Sequence, residues 1–114
     1  MATTTPTIKI PATEMESEFK RILLKYNFTE AKAGALAEIY TVNSLEGVYT
    51  HGVNRFSKFI KYVIEGHIKP DKEPVCIHAA GAMEQWNGQL GPGPLNALTC
   101  TDRAIQLAVQ QGMG

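Results

Sequence analysis

Only two cysteines occur in the 114 residues, Cys76 and Cys100, far apart and outside any close-spaced ligand pattern. That usage excludes a disulfide framework, and both are expected as reduced, partly buried thiols. The three histidines, His51, His67 and His78, stand at intervals that match no helical or finger-type arrangement, so no metal site is expected. Charge of either sign in excess is also lacking. The 11 Lys and Arg balance 11 Asp and Glu and are interleaved with them. No basic stripe is left to neutralise phosphates, and no nucleic-acid partner is expected. No apolar run approaches the roughly 20 residues of a bilayer span, and Met1 to Thr7 has neither a basic segment nor an apolar core for export. A cytoplasmic protein without membrane partners is therefore expected. What is present is a chain 44% apolar and 19% charged, enough for one domain with one core.

The hydrophobic pattern predicts an α+β domain, mainly helical, with about four helices and two or three short strands. Residues 1–12 read as a flexible N-terminus with a short strand at Ile8-Lys9-Ile10, closed by Pro11. Thr13 and Glu16 have the spacing of a capping box. Met15, Phe19, Ile22, Leu23 and Tyr26 then line one face of a first helix ending near Asn27. Thr29 caps a second helix in which Ala35, Leu36, Ile39 and Val42 form the expected buried stripe, with Gly47 as its stop. A third begins after His51-Gly52, buries Val53, Phe56, Phe59, Ile60, Val63 and Ile64, and ends at Gly66. Val75 to His78 and Met83 to Trp86 read as two strands, with Trp86 as a packing anchor. Gly93 as cap and Pro94 at the first helical position open a last helix through Leu95, Leu98, Ile105 and Val109, closed by Gly112. The ending Gly112-Met113-Gly114 resembles a crossover about to enter a further strand, so the sequence reads as the front part of something longer.

One segment does not read as packing. Between Gly47 and Phe56 the chain places Thr50, His51 and Arg55 within six positions, and Gly52 is expected to keep the backbone beside the imidazole open to a ligand. If a helix starts near Thr50, His51 and Arg55 project from the same side of its first turn. A guanidinium at a helix N-terminus suits a carboxylate, and imidazole can give or take a proton near neutral pH. Such a pair fits an oxo or hydroxy acid. On spacing alone the commoner alternative is structural, with His51 as a cap and Arg55 as a solvated charge in a non-catalytic helical interaction module. His67 and His78 read as surface or structural residues. Gly91-Pro92-Gly93-Pro94 reads as a rigid turn, because its prolines remove N–H donors that a phosphate cradle needs.

The stretch Glu46-Gly47-Val48-Tyr49-Thr50-His51-Gly52-Val53-Asn54-Arg55-Phe56 resembles the G-[VA]-x-S-H-G-x-x-R-[FY] signature of the malate/L-lactate dehydrogenase family of NAD(P)-dependent oxidoreductases. Within that family it is most similar to the 2,3-diketo-L-gulonate reductases. Glu65 to Asp71, Glu84 to Asn87 and Asp102 to Ala108 extend the likeness over most of the chain after about Thr13.

The resemblance implies that residues 13–114 form the N-terminal helical domain of a longer, non-Rossmann dehydrogenase, cut before its nucleotide-binding domain. It implies a homodimer using NAD or NADP, held mainly by segments that this chain lacks, so the cofactor-binding residues are unknown. It also implies His51 as the catalytic proton donor, Arg55 as the group holding the substrate carboxylate, and Thr50, where the family usually has Ser, as a substrate-binding hydroxyl. The expected reaction is reduction of a 2-oxo acid to a 2-hydroxy acid, with 2,3-diketo-L-gulonate as substrate; malate, lactate or ureidoglycolate dehydrogenation is the alternative within the family. The aspartate that orients the histidine lies outside this chain, so these residues alone are expected to be inactive.

Overall fold

A computed structural model describes residues 6–114. It contains α1 (Ala12–Lys25), α2 (Glu30–Leu45), a single 3-10 turn (Tyr49–His51), α3 (Val53–Ile64), β1 (Val75–Ala80), β2 (Met83–Asn87) and α4 (Gly93–Gln111). Residues 6–11 have no regular structure, so the strand expected at Ile8 to Ile10 is not formed; both isoleucines are exposed, with no neighbouring strand edge to pair with.

The first three helices close around one aromatic cluster. Phe56 of α3 stacks on Phe19 of α1 at 4.1 Å between ring centroids and meets Tyr40 of α2 edge-on at 5.4 Å, while Phe59 lies 5.6 Å from Tyr40 and 5.9 Å from Phe28. Leu23, Ala33, Leu36 and Ala37 complete it with no measurable exposure. Rings at these separations add geometric preference to area burial, which holds the three helices in one mutual register. The small side chains of Ala33 and Ala37 let α1 approach α2 closely, and a Lys20–Glu30 ion pair bridges the same two helices.

Local signals were partly displaced by tertiary packing. Thr29 does cap α2, accepting a hydrogen bond from the Lys32 amide at 3.3 Å. Thr13 does not cap α1. Pro11 occupies the cap position with no side-chain bond, and Thr13 lies inside the helix, where its carbonyl accepts from the Ser17 hydroxyl. α2 buries Ala33, Leu36, Ala37, Tyr40 and Thr41; of the expected Ala35-Leu36-Ile39-Val42 stripe only Leu36 is fully buried. Its sequence is apolar on nearly every side, so the choice of face falls to where Tyr40 can join the other rings. In α3, Phe56, Phe59 and Ile60 are buried as expected, whereas Val53 and Ile64 are exposed.

The hairpin and α4 lie outside this cluster. β1 and β2 pair antiparallel with a bulge between Cys76 and His78, and β1 is exposed along its whole length. Cys76 and Cys100 are free, but exposed rather than partly buried, because nothing covers the hairpin face or the outer side of α4. Trp86 does not reach the core. It is half-buried and donates its indole N–H to Glu84 at 2.9 Å, and the Glu84 carboxylate in turn takes Arg103 of α4 at 2.6 to 3.0 Å. That charge-assisted pair, not an aromatic anchor, ties hairpin to helix. Arg103 and the Trp86 indole hold the Glu84 carboxyl below the usual carboxylate range. α4 starts with Gly93 at its first position and Pro94 at its second, after Pro92 as cap, and ends on left-handed Gly112. Of its expected stripe, Leu98, Ile105 and Val109 are 49 to 82% exposed and Leu107 is the buried residue. The radius of gyration is 17.1 Å, against about 13 Å for a compact domain of this length, as a protruding hairpin and helix require.

Candidate functional site

α2 ends at Leu45, and Gly47 adopts φ +86°, a left-handed turn that reverses the chain at little steric cost. The 3-10 turn Tyr49–His51 and then α3 follow, so residues 48–55 run back across the end of α2. Burial of Phe56 between Phe19 and Tyr40 anchors α3 one residue beyond Arg55.

Thr50, His51 and Arg55 are brought together, and all three are exposed. Thr50 Oγ1 lies 2.9 Å from His51 Nδ1, and Arg55 Nε donates to the Thr50 carbonyl at 3.3 Å. His51 and Arg55 share the wall of an open cavity of about 450 Å³ with Ile39, Tyr40, Asn43 and Pro94. His51 Nε2 and the two terminal Arg55 nitrogens have no hydrogen-bond partner among the described residues, and no carboxylate there pairs with Arg55. A cavity that offers an imidazole nitrogen and the free fork of a guanidinium can orient a small carboxylate bearing an adjacent carbonyl. Burial pushes the Tyr40 phenol up to about 12 despite the opposing charge of Arg55, so Tyr40 borders this cavity as a neutral ring.

Gly52 does not stand open to a ligand. It is buried against α2, where an added Cβ would lie 2.1 Å from Ser44 Oγ and 2.8 Å from the Ser44 amide nitrogen. The glycine is there for close approach of two backbones. Three residues missed in the sequence surround the histidine segment. The Asn43 carbonyl accepts from the Val48 amide at 2.8 Å, and its side-chain amide donates to the His51 carbonyl at 3.0 Å. Ser44 Oγ accepts from the Val53 amide at 2.8 Å, satisfying one of the free N–H groups at the start of α3. Tyr40 forms the floor from the core side. The signal available was the adjacent polar pair Asn43-Ser44 in the last turn of the helix, eight and nine residues before the groups it binds.

The turn before α4 offers no dinucleotide cradle. Pro92 is fully buried, the Gly91 amide is spent on the Gly88 carbonyl at 2.9 Å, and Pro94 has no N–H. Among the described residues no group of three His, Cys, Asp or Glu is placed to hold a metal, and no helix is long and apolar enough to cross a membrane.

Comparison with known proteins matches residues 10–114 to the family described as malate/L-lactate dehydrogenase. The 2,3-diketo-L-gulonate reductase of Mannheimia succiniciproducens is 41% identical over 107 residues, which is 94% of this chain and 32% of that protein. The same figures hold for the Salmonella typhi protein of that name. The chain thus spans about a third of the length of the curated relatives it matches. Among solved structures, malate dehydrogenase from Pyrococcus horikoshii OT3 superposes with a TM-score of 0.86 at 25% identity, over 92% of this chain and 30% of that one. Malate dehydrogenase from Entamoeba histolytica shares the fold with a TM-score of 0.85 at 24% identity, over 92% and 29%.

Proposed function

The chain belongs to the malate/L-lactate dehydrogenase family, and from that premise we propose that it is the substrate-binding, N-terminal helical portion (residues 13–114) of an NAD- or NADP-dependent oxidoreductase that reduces a 2-oxo acid to a 2-hydroxy acid. The observation that carries the reading is the pairing, at one open cavity, of His51 with an Arg55 that has no carboxylate partner among the described residues. A helix whose arginine merely met solvent would not need an imidazole and a guanidinium aimed into the same space. The 41% identity to 2,3-diketo-L-gulonate reductases supports 2,3-diketo-L-gulonate, reduced to 3-dehydro-L-gulonate, as substrate.

In this reading Arg55 holds the substrate carboxylate through its terminal nitrogens. With Nδ1 engaged by Thr50, His51 presents Nε2 to the carbonyl oxygen and gives it the proton as the carbonyl becomes a hydroxyl. Thr50 fixes the imidazole ring and anchors Arg55 through its carbonyl. The nicotinamide, when bound, supplies the hydride. The turn before α4 offers no phosphate cradle, and in this reading the rest of the protein holds most of the cofactor. Association as a homodimer belongs to the same proposal and is supported by exposed apolar groups such as Ile105 and Val109 on α4.

The test uses the whole protein that carries this chain, with oxidation of NADH or NADPH followed on 2,3-diketo-L-gulonate, pyruvate and oxaloacetate. His51→Gln should lower kcat by about 100- to 10,000-fold while cofactor binding persists. Arg55→Lys keeps the charge but loses the planar fork, and should mainly raise KM for the oxo acid. Near-normal kcat in His51→Gln would remove His51 as the proton donor. No turnover of any 2-oxo acid by folded wild type would end the enzyme reading.

A further inference from the structure

We infer that Asn43 and Ser44, in the last turn of α2, are positioning residues that set His51 and Arg55 separately, one through the backbone of the histidine and the other through the start of α3. The inference rests on the proposed roles of His51 and Arg55. Its geometry is independent of those roles.

Asn43 holds both ends of the returning loop, accepting from the Val48 amide through its carbonyl at 2.8 Å and donating from its side chain to the His51 carbonyl at 3.0 Å. The exposed 3-10 turn carrying His51 has no apolar side chain in the core, because Tyr49 is 63% exposed and Val48 is 45% exposed. Hydrogen bonds, not burial, therefore set where the imidazole stands. Ser44 acts one residue further on. Its hydroxyl takes the Val53 amide at 2.8 Å, at a helix start whose own cap residue, Gly52, has no side chain to offer. Gly52 lies so close to Ser44 that no Cβ fits between them, which brings the two backbones within reach of that bond. Arg55 is the third residue of α3, in the turn that this bond fixes.

The two bonds divide the labour. Loosening Asn43 frees the His51 carbonyl while Phe56 still anchors α3 through its two ring contacts, so the proton donor shifts and the carboxylate holder stays. Loosening Ser44 frees the Val53 amide and frays the residues of α3 that precede the Phe56 anchor, Arg55 among them, while Asn43 still grips His51. A generic loss of stability would affect both steps alike.

The experiment compares Asn43→Ala, Asn43→Asp and Ser44→Ala with wild type in the whole protein, reading steady-state kinetics on 2,3-diketo-L-gulonate together with amide hydrogen exchange of residues 48–56. Asn43→Ala should lower kcat by about 10- to 100-fold, with KM changed by less than about threefold. Asn43→Asp is nearly isosteric, so it folds, yet its ionised carboxylate cannot donate to the His51 carbonyl; it should lower kcat at least as much as alanine. Ser44→Ala should raise KM by about tenfold with kcat within about threefold, and should speed exchange of the Val53 amide. Kinetic constants within about twofold of wild type in all three variants would overturn the inference, whether or not exchange rises. So would equal loss in kcat and KM in both Asn43 and Ser44 variants. If wild type turns over no 2-oxo acid while exchange rises as described, the proposed function fails, and the two bonds remain devices of the fold alone.

Discussion

Replacing Gly52 with alanine separates a packing role for this residue from a ligand-access role. The added methyl would sit 2.1 Å from Ser44 Oγ, 2.8 Å from Ser44 N and 3.0 Å from Ser44 Cα. A hydroxyl can rotate away, but the two backbone atoms cannot, so the loop must withdraw from α2. Overpacking of that kind costs about 1 to 3 kcal/mol. Withdrawal also breaks the hydrogen bond from Val53 to Ser44, at about 0.5 to 1.5 kcal/mol, giving a total of about 1.5 to 4.5 kcal/mol. For a chain of this size that lowers Tm by roughly 6 to 19 °C. The internal control is Gly34→Ala in α2. No atom stands within 4 Å of its Cβ position, and the same chemical change should stabilise by about 0.4 to 1 kcal/mol. Urea denaturation of wild type and both variants, followed by far-UV circular dichroism, reads the two signs. Gly52→Ala within about 0.5 kcal/mol of wild type would refute the packing argument. Lost oxo-acid binding at unchanged stability would return Gly52 to the role of an opening for ligand.

Leu36→Ala should cost about 2 to 5 kcal/mol in the same assay, and Val42→Ala, at a residue 36% exposed, less than about 1 kcal/mol; a cost at Val42 as large as that at Leu36 would restore the stripe expected from periodicity. Thr41 Oγ1 is buried with no hydrogen-bond partner among the described residues, so the isosteric Thr41→Val should stabilise by about 1 kcal/mol, and a loss of that size would reveal a bond to the hydroxyl. Glu84 has a lowered pKa in the fold, so the ionised group stabilises the protein above the unfolded carboxyl value near 4.5, and the effect is lost as pH falls through the folded value. Melting temperatures of wild type and Glu84→Gln should therefore differ at pH 7 and converge on acidification; a gap that persists at pH 2 would mean the pair with Arg103 is not its source.

The sequence by itself determined the four helices, the hairpin and their order, though not the absence of a strand at Ile8 to Ile10, because the determinants are local. Phe19 and Leu23 at helical spacing, Thr29 before an apolar run, and Gly47, Gly66 and Gly112 after theirs specify helices and stops by contacts within a few residues. It also determined that Thr50, His51 and Arg55 are the unusual residues, since a hydroxyl, an imidazole and a guanidinium crowded between two helices have no packing purpose. What it left open was decided across distance. α2 is apolar on most of its surface, so periodicity could not say which face turns inward; the aromatic cluster selected Tyr40 over Ile39. Thr13 and Glu16 carried the spacing of a cap, yet Pro11 took that position. Gly52 next to a histidine reads equally as an opening or as a contact, and only α2 lying against it, with the Ser44 backbone at the place of the missing Cβ, decided for contact. The bonds from Asn43 to His51 and from Ser44 to Val53 likewise depend on a chain reversal that no residue pattern encodes by itself, so the groups that hold the candidate site in place became visible only when the end of α2 and the start of α3 were brought side by side.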